Sequence, residues 1–163
     1  MSTPPRLSPT ELSAYFAFTE VSSLLRHSVE KQLKDAGQLS YVQFQLLARL
    51  GDAPDGSQRM TDLADGVVYS RSGLTYQAQL LEQRGLITRT PSPDDERSTI
   101  VAITAEGRGV LAQVFPGHIE TVKSLLFDSL GADDIDGLAR VLTQVSTHLR
   151  ANPPRSAGSR RKG

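Results

Sequence analysis

The chain has no cysteine, no net charge and no long apolar run. Without cysteine it can form no disulfide, offer no thiolate to a metal and supply no thiol nucleophile. Its 18 Lys and Arg residues balance 18 Asp and Glu. Nothing therefore pulls the whole molecule toward nucleic acid, and any such affinity must come from local placement of charge. The purely apolar stretches are only a few residues long, too short to cross a bilayer. The N-terminus lacks a basic region followed by an apolar segment and a cleavage site, so a soluble, unexported, cytoplasmic chain is expected. Catalytic frames are missing as well: there is no glycine-rich phosphate loop, no Gly-x-Ser-x-Gly elbow and no acid–base pair in a recognisable setting. The histidines, His27, His118 and His148, do not recur at one helix-turn spacing, which favours structural or surface roles over a metal site. No enzymatic activity, cofactor or metal is expected. A length of 163 residues suits one domain, or one domain with an attached helical element.

What is present is concentrated between Met60 and Thr104. A short helix, Thr61 to Asp65, leads through the turn Gly66-Val67-Val68-Tyr69 to Ser70, a good N-cap for a second helix from Arg71 to Arg84. Gly85 ends that helix. Two β-prone runs follow, residues 86–90 and 98–103, separated by Pro91-Ser92-Pro93-Asp94-Asp95-Glu96-Arg97, which is turn chemistry carrying an arginine. This is the layout of a winged helix-turn-helix, a helix presented beside a projecting hairpin, and it suits the grip of duplex DNA.

At these residues the chain resembles the MarR family of bacterial transcriptional regulators. The resemblance is carried by Leu63-Ala64, by Ser72-Gly73-Leu74-Thr75, by the run from Leu81 to Arg89, and by Asp95-Glu96-Arg97 followed by Val101-Ala102-Ile103-Thr104, in this order and spacing. One departure falls in the wing, where Ser98 and Thr99 follow Arg97 at positions where the family commonly has further basic residues. The absence of cysteine also excludes the thiol-based peroxide sensing that some members use. The resemblance implies a DNA-binding regulator. It further implies that a small, often aromatic or phenolic effector binds in a crevice between the helical dimer region and the winged domain and loosens the grip on DNA. Tyr41, with a hydroxyl to offer, and Arg26 and Arg89, which could meet an anionic group, are the candidate walls of that crevice. For Tyr41 a core position with its hydroxyl at the surface is an equally good reading.

The flanking segments read as helices. Residues 1–7 form an untethered leader, and Ser8-Pro9-Thr10-Glu11 is a capping box with proline at the first helical position. In the long helix that follows, Leu12, Tyr15, Phe16, Phe18, Val21 and Leu24 wrap more than one face, which calls for cover by a second chain. Gly37 is expected to stop this helix, and Ser40-Tyr41-Val42-Gln43 opens another that runs to about Leu50, with residues 51–56 as a loop. Thr104 caps a helix with one seam, Leu111, Phe115, Ile119, Val122 and Leu126, which Pro116 should bend or break. Asp133 and Asp134 suit the start of a last helix whose Ile135, Leu138, Leu142, Val145 and Leu149 repeat in a heptad-like manner. Asn152-Pro153-Pro154 ends it, and residues 151–163 read as a disordered basic tail.

The expected fold is mainly α, of α+β type. Residues 8–35 and 105–150 form a dimerisation region, with Phe16, Leu138, Leu142, Val145 and Leu149 in the contact, and residues 40–104 form the winged helix-turn-helix. Ser70, Arg71, Ser72, Thr75, Tyr76 and Gln77 lie at the start of the recognition helix, where Arg reads guanine edges, Gln reads adenine, and Ser or Thr reaches bases or phosphates. The plainer alternative is a solvated helix face opposite a core of Leu74, Ala78 and Leu81. Arg97 at the hairpin tip suits a narrow minor groove, with Asp95 restraining its side chain, although the run Asp94-Asp95-Glu96 would repel phosphate if all of it faced DNA. The function expected is a homodimeric, sequence-specific DNA-binding regulator, a repressor at a pseudo-palindromic operator, released by a small effector. The competing reading is a winged-helix protein-interaction module without DNA binding, which the neutral charge and sparse wing cations favour.

Overall fold

The computed structural model describes residues 5–67 and 70–151. Its chain falls into two compact units, Met1–Val122 and Lys123–Gly163.

The first unit begins with α1 (Pro9–Gly37), opened by the expected capping box: the Glu11 N–H donates to Ser8 Oγ, and the Ser8 N–H donates to the Glu11 carboxylate at 2.7 Å. These bonds hold the Glu11 carboxyl below the ordinary carboxylate range, first through the backbone bond and then through the side chain. The helix ends at Gly37, as expected, and Gln38 rather than the glycine takes the left-handed turn at φ 53°. Gly37 serves packing instead, since a Cβ there would lie 2.4 Å from Val114.

Helix α2 (Tyr41–Asp52) opens on the second capping box, Ser40 with Gln43, and buries Phe44, Leu46, Leu47 and Leu50. The loop beyond it is shorter than the sequence suggests. Gly56 at φ 70° turns the chain into a three-residue strand, β1 (Ser57–Arg59). Helix α3 (Met60–Val67) and helix α4 (Arg71–Gln83) follow. Strands β2 (Ile87–Pro91) and β3 (Thr99–Ile103) pair antiparallel from Ile87↔Ile103 to Pro91↔Thr99, and β1 adds to the other edge of β3, giving the order β1-β3-β2. The core joins Leu33, Leu47, Leu50, Leu63, Leu74, Leu81, Ile87, Val101 and Val114, so the two helices of the motif, the wing and α1 share one apolar centre.

Helix α5 (Ala105–Val122) is capped by Thr104, whose Oγ accepts from the Gly107 N–H at 3.0 Å. It is not broken at Pro116. Proline removes one bond of the helix ladder, but tertiary contacts hold the turn of α5 just before it. Gln32 Nε2 donates to the Val114 carbonyl (3.2 Å), and Gln113 Nε2 donates to the Ala36 carbonyl (2.8 Å). Of the expected seam, Leu111 and Val122 pack against the core, while Phe115 and Ile119 stay exposed.

The second unit opens with a π-helical turn, Lys123–Phe127, which contains Leu126, and continues as α6 (Ala132–Ala151) with Asp133 and Asp134 in its first turn. Leu142, Val145 and Leu149 of α6 are exposed, and Leu138 is half-buried. The expected leader is described only over residues 5–7, which form no element, and the turn residues Val68 and Tyr69 and residues 152–163 lie outside the described residues. No helix among the described residues is long and apolar enough to cross a membrane.

Candidate nucleic-acid interface

Helix α4 is anchored by one face. Leu74, Ala78 and Leu81 are all fully buried, at spacings of four and three, and they fix the rotation of the helix about its axis. Arg71, Ser72, Thr75 and Tyr76 are thereby left exposed. Ser70 spends its hydroxyl on the cap, where Oγ accepts from the Gly73 N–H at 3.2 Å. The Thr75 hydroxyl donates back to the Arg71 carbonyl (2.9 Å), so Thr75 turns a methyl rather than a free donor outward. Tyr76 presents a ring that is 59% exposed. Gln77 stands apart from this group, half-buried, with its Oε1 accepting from Gln43 Nε2 at 3.0 Å. Gln79, unnoticed in the sequence, is exposed. With Ser72, Thr75 and Tyr76 it completes an i, i+3, i+4, i+7 stripe that helical spacing alone would have drawn.

Three braces fix the attitude of this helix pair. Arg49 on α2 donates to the Gly66 carbonyl at 2.6 Å, closing the C-terminal end of α3, and a side chain at residue 66 would collide with that guanidinium. Arg84, at the end of α4, donates to the carbonyls of Gly37 and Gln38 at 3.0 and 2.8 Å, tying α4 to the last turn of α1. The third brace is the Gln43–Gln77 bond. A sequence scan finds none of the three, because each joins residues 17 to 47 positions apart.

The wing tip is shaped by Asp95, though not in the manner the sequence suggests. Its carboxylate accepts from the Arg97 backbone N–H (3.0 Å) and its carbonyl from the Ser98 N–H (2.9 Å), so it folds the turn rather than gripping the guanidinium. Asp94, Asp95, Glu96 and Arg97 are all exposed.

The proposed effector residues are only partly assembled. The Arg26 guanidinium lies 5.2 Å from the centre of the Tyr41 ring, a cation–π contact, beside a groove lined by Glu30, Lys34, Gln38 and Tyr41. Arg89 is elsewhere, on β2, where it pairs with Glu82 at 3.1 Å and holds that carboxyl below its ordinary value. Among the described residues no cluster of histidine and acidic side chains could hold a metal ion.

A helix pair set beside a two-stranded wing, with the outer face of the second helix left free, defines a winged helix-turn-helix protein. The sequence model of the MarR family matches residues 38–98. The HTH-type transcriptional repressor MdtR of Bacillus subtilis is 30% identical over 112 residues, covering 69% of this chain and 68% of MdtR. The HTH-type transcriptional regulator MhqR of the same organism is 27% identical over 95 residues, and the match spans 58% of this chain and 65% of MhqR. The crystal structure of Sco3205, a MarR family transcriptional regulator from Streptomyces coelicolor in complex with DNA, is similar at a TM-score of 0.87 with 28% identity over 95% of each chain. The chain belongs to the MarR family of transcriptional regulators.

Proposed function

We propose that the protein is a cytoplasmic, homodimeric repressor that binds a pseudo-palindromic operator through α4 and is released by a small aromatic or phenolic effector. The observation that carries the reading is the free outer face of α4. A rigid core face holds the helix while Arg71, Ser72, Thr75 and Tyr76 remain uncovered. Such a helix enters the major groove, where the arginine can take a guanine edge, Ser72 a base or phosphate, and the Thr75 methyl a thymine methyl. Ser70 supports the reading as the cap that sets where the helix begins, and Asp95 as the residue that shapes the tip carrying Arg97 toward the minor groove.

Dimerisation is supported by apolar surface that the chain leaves uncovered. Tyr15, Phe16, Phe18 and Leu24 of α1 are each more than half exposed, and Leu142, Val145 and Leu149 of α6 are exposed too. Two copies related by a two-fold axis would each read one half-site, spaced by one or more turns of DNA. For the effector, Tyr41 and Arg26 lie together, with Arg26 also paired to Glu30 at 2.8 Å, whereas Arg89 sits apart on β2 and pairs with Glu82.

A mobility-shift assay on the DNA upstream of the protein's own gene tests the reading. A shifted band that survives excess random competitor supports it. A shift that random DNA abolishes equally well, or no shift, favours the protein-interaction alternative.

A further inference from the structure

Two glutamines on α4, two positions apart, face different surroundings. We propose that Gln79 is the glutamine that reads a base edge, and that Gln77 is a positioning residue through which Gln43 holds the recognition helix. The inference rests on the DNA-binding reading above.

Residues two apart on a helix are separated by about 200° around its axis, so they cannot serve the same face. Gln77 adjoins buried Ala78 and sits three residues after Leu74 and four before Leu81, on the flank of the core face. Gln79 shares the exposed stripe of Ser72, Thr75 and Tyr76.

The hydrogen bonds fix the orientation of the inner pair. The Ser40 backbone N–H can only donate, and it donates to Gln43 Oε1 at 3.1 Å. Gln43 is 8% exposed and closed into its capping box, so its Nε2 must face Gln77. The Gln77 atom that meets it is then necessarily the acceptor, Oε1. A bidentate contact with adenine needs the oxygen and the nitrogen of one amide together, and Gln77 has its oxygen turned inward. The Gln79 amide makes no hydrogen bond among the described residues and has both ends to offer. The pair thus divides the work: a half-buried amide helps to hold the helix in place, and an exposed one uses that placement.

The test is the base-preference profile, selected from operators randomised at each position, for the unmodified protein and for Gln79→Glu, Gln77→Glu and Gln77→Leu, each checked for folding by circular dichroism. Gln79→Glu keeps an acceptor and loses the donor. It should lower the preference for adenine at one base pair of each half-site by about 5- to 150-fold, the worth of one good bidentate contact, and favour cytosine there. Gln77→Glu still accepts from Gln43, so its profile should match the unmodified protein at every position. Its added charge should weaken operator and random DNA alike. Gln77→Leu loses the tether, so its ratio of operator to random affinity should fall evenly across positions, and the glutamate variant should restore that ratio. A single altered base preference in Gln77→Glu, or an unchanged profile in Gln79→Glu, would overturn the assignment. A ratio unchanged in Gln77→Leu would remove the positioning role. An unmodified protein with no sequence preference would overturn the DNA-binding reading itself, and this inference with it.

Discussion

Gly107 and Gly109 lie two residues apart in α5, and the same substitution should act on them with opposite sign. A Cβ on Gly107 would sit 2.1 Å from the Leu86 carbonyl oxygen and 2.9 Å from a methylene of Ile103. The first obstacle is backbone and cannot swing aside. That oxygen also accepts from the Thr104 N–H at 3.1 Å, so moving it disturbs the start of α5 and the root of β2 together. Overpacking of this kind costs about 1–3 kcal/mol, and the rigid partner puts Gly107→Ala at the upper end or beyond. Gly109 meets nothing within 4 Å, and its φ is ordinary. Replacing an unobstructed mid-helix glycine by alanine gains about 0.5–1 kcal/mol, because alanine has less backbone freedom to lose. For a chain of this size 1 kcal/mol moves the midpoint by about 2–4 °C. Thermal unfolding followed by circular dichroism should therefore show Gly109→Ala higher than the unmodified protein by a few degrees, and Gly107→Ala lower by several. Equal shifts of the two variants would refute the reasoning, since composition alone would then account for both.

Two further outcomes follow from His118 and Arg97. Burial lowers the His118 imidazole below its ordinary 6.5, and its Nδ1 is buried without a hydrogen-bond partner, against the Phe44 ring. The unfolded chain then binds the proton first, so stability should fall as the pH drops below about 6.5 and level off once the folded value is passed. In urea titrations between about pH 7 and pH 5 the variant His118→Leu should show a shallower decline, and an unchanged slope would clear His118 of the effect. If Arg97 enters the minor groove, Arg97→Ala should make the slope of log K against log salt shallower by about 0.9, and Arg97→Lys should lose most on operators with A·T-rich flanks. Unchanged slope and affinity would mean that the acidic run beside it keeps the tip off the DNA.

How much of this was legible in the sequence depends on the range of the interaction. Capping boxes are local, so Ser8 with Glu11 and Ser40 with Gln43 were readable, as was the cap at Ser70. The core face of α4 followed from periodicity, since Leu74, Ala78 and Leu81 share one side. Strand β1 was missed because three residues carry no alternation, and only the neighbouring β3 makes them a strand. Gly37 ends α1 as its type suggests, yet the left-handed turn falls on Gln38, and α5 continues unbroken through Pro116 where α1 packs against it and Gln32 donates to the Val114 carbonyl. Gln77 was chosen for its chemistry, although its place beside Ala78 puts it on the flank of the core, while Gln79 two residues on is exposed. The braces from Arg49 and Arg84 could not be read, because a long-range contact to a backbone carbonyl leaves no mark in composition or spacing.

In the proposed function two copies of this chain read one operator through α4. It is tested most directly by measuring, in one titration, the affinity for the upstream DNA against a shuffled fragment of equal length, together with the mass of the complex by sedimentation. The expected result is a preference of about a thousandfold or more for the upstream fragment at physiological salt, and a complex holding two chains per operator. Equal affinity for both fragments, or a single chain on the DNA with full specificity, would contradict it.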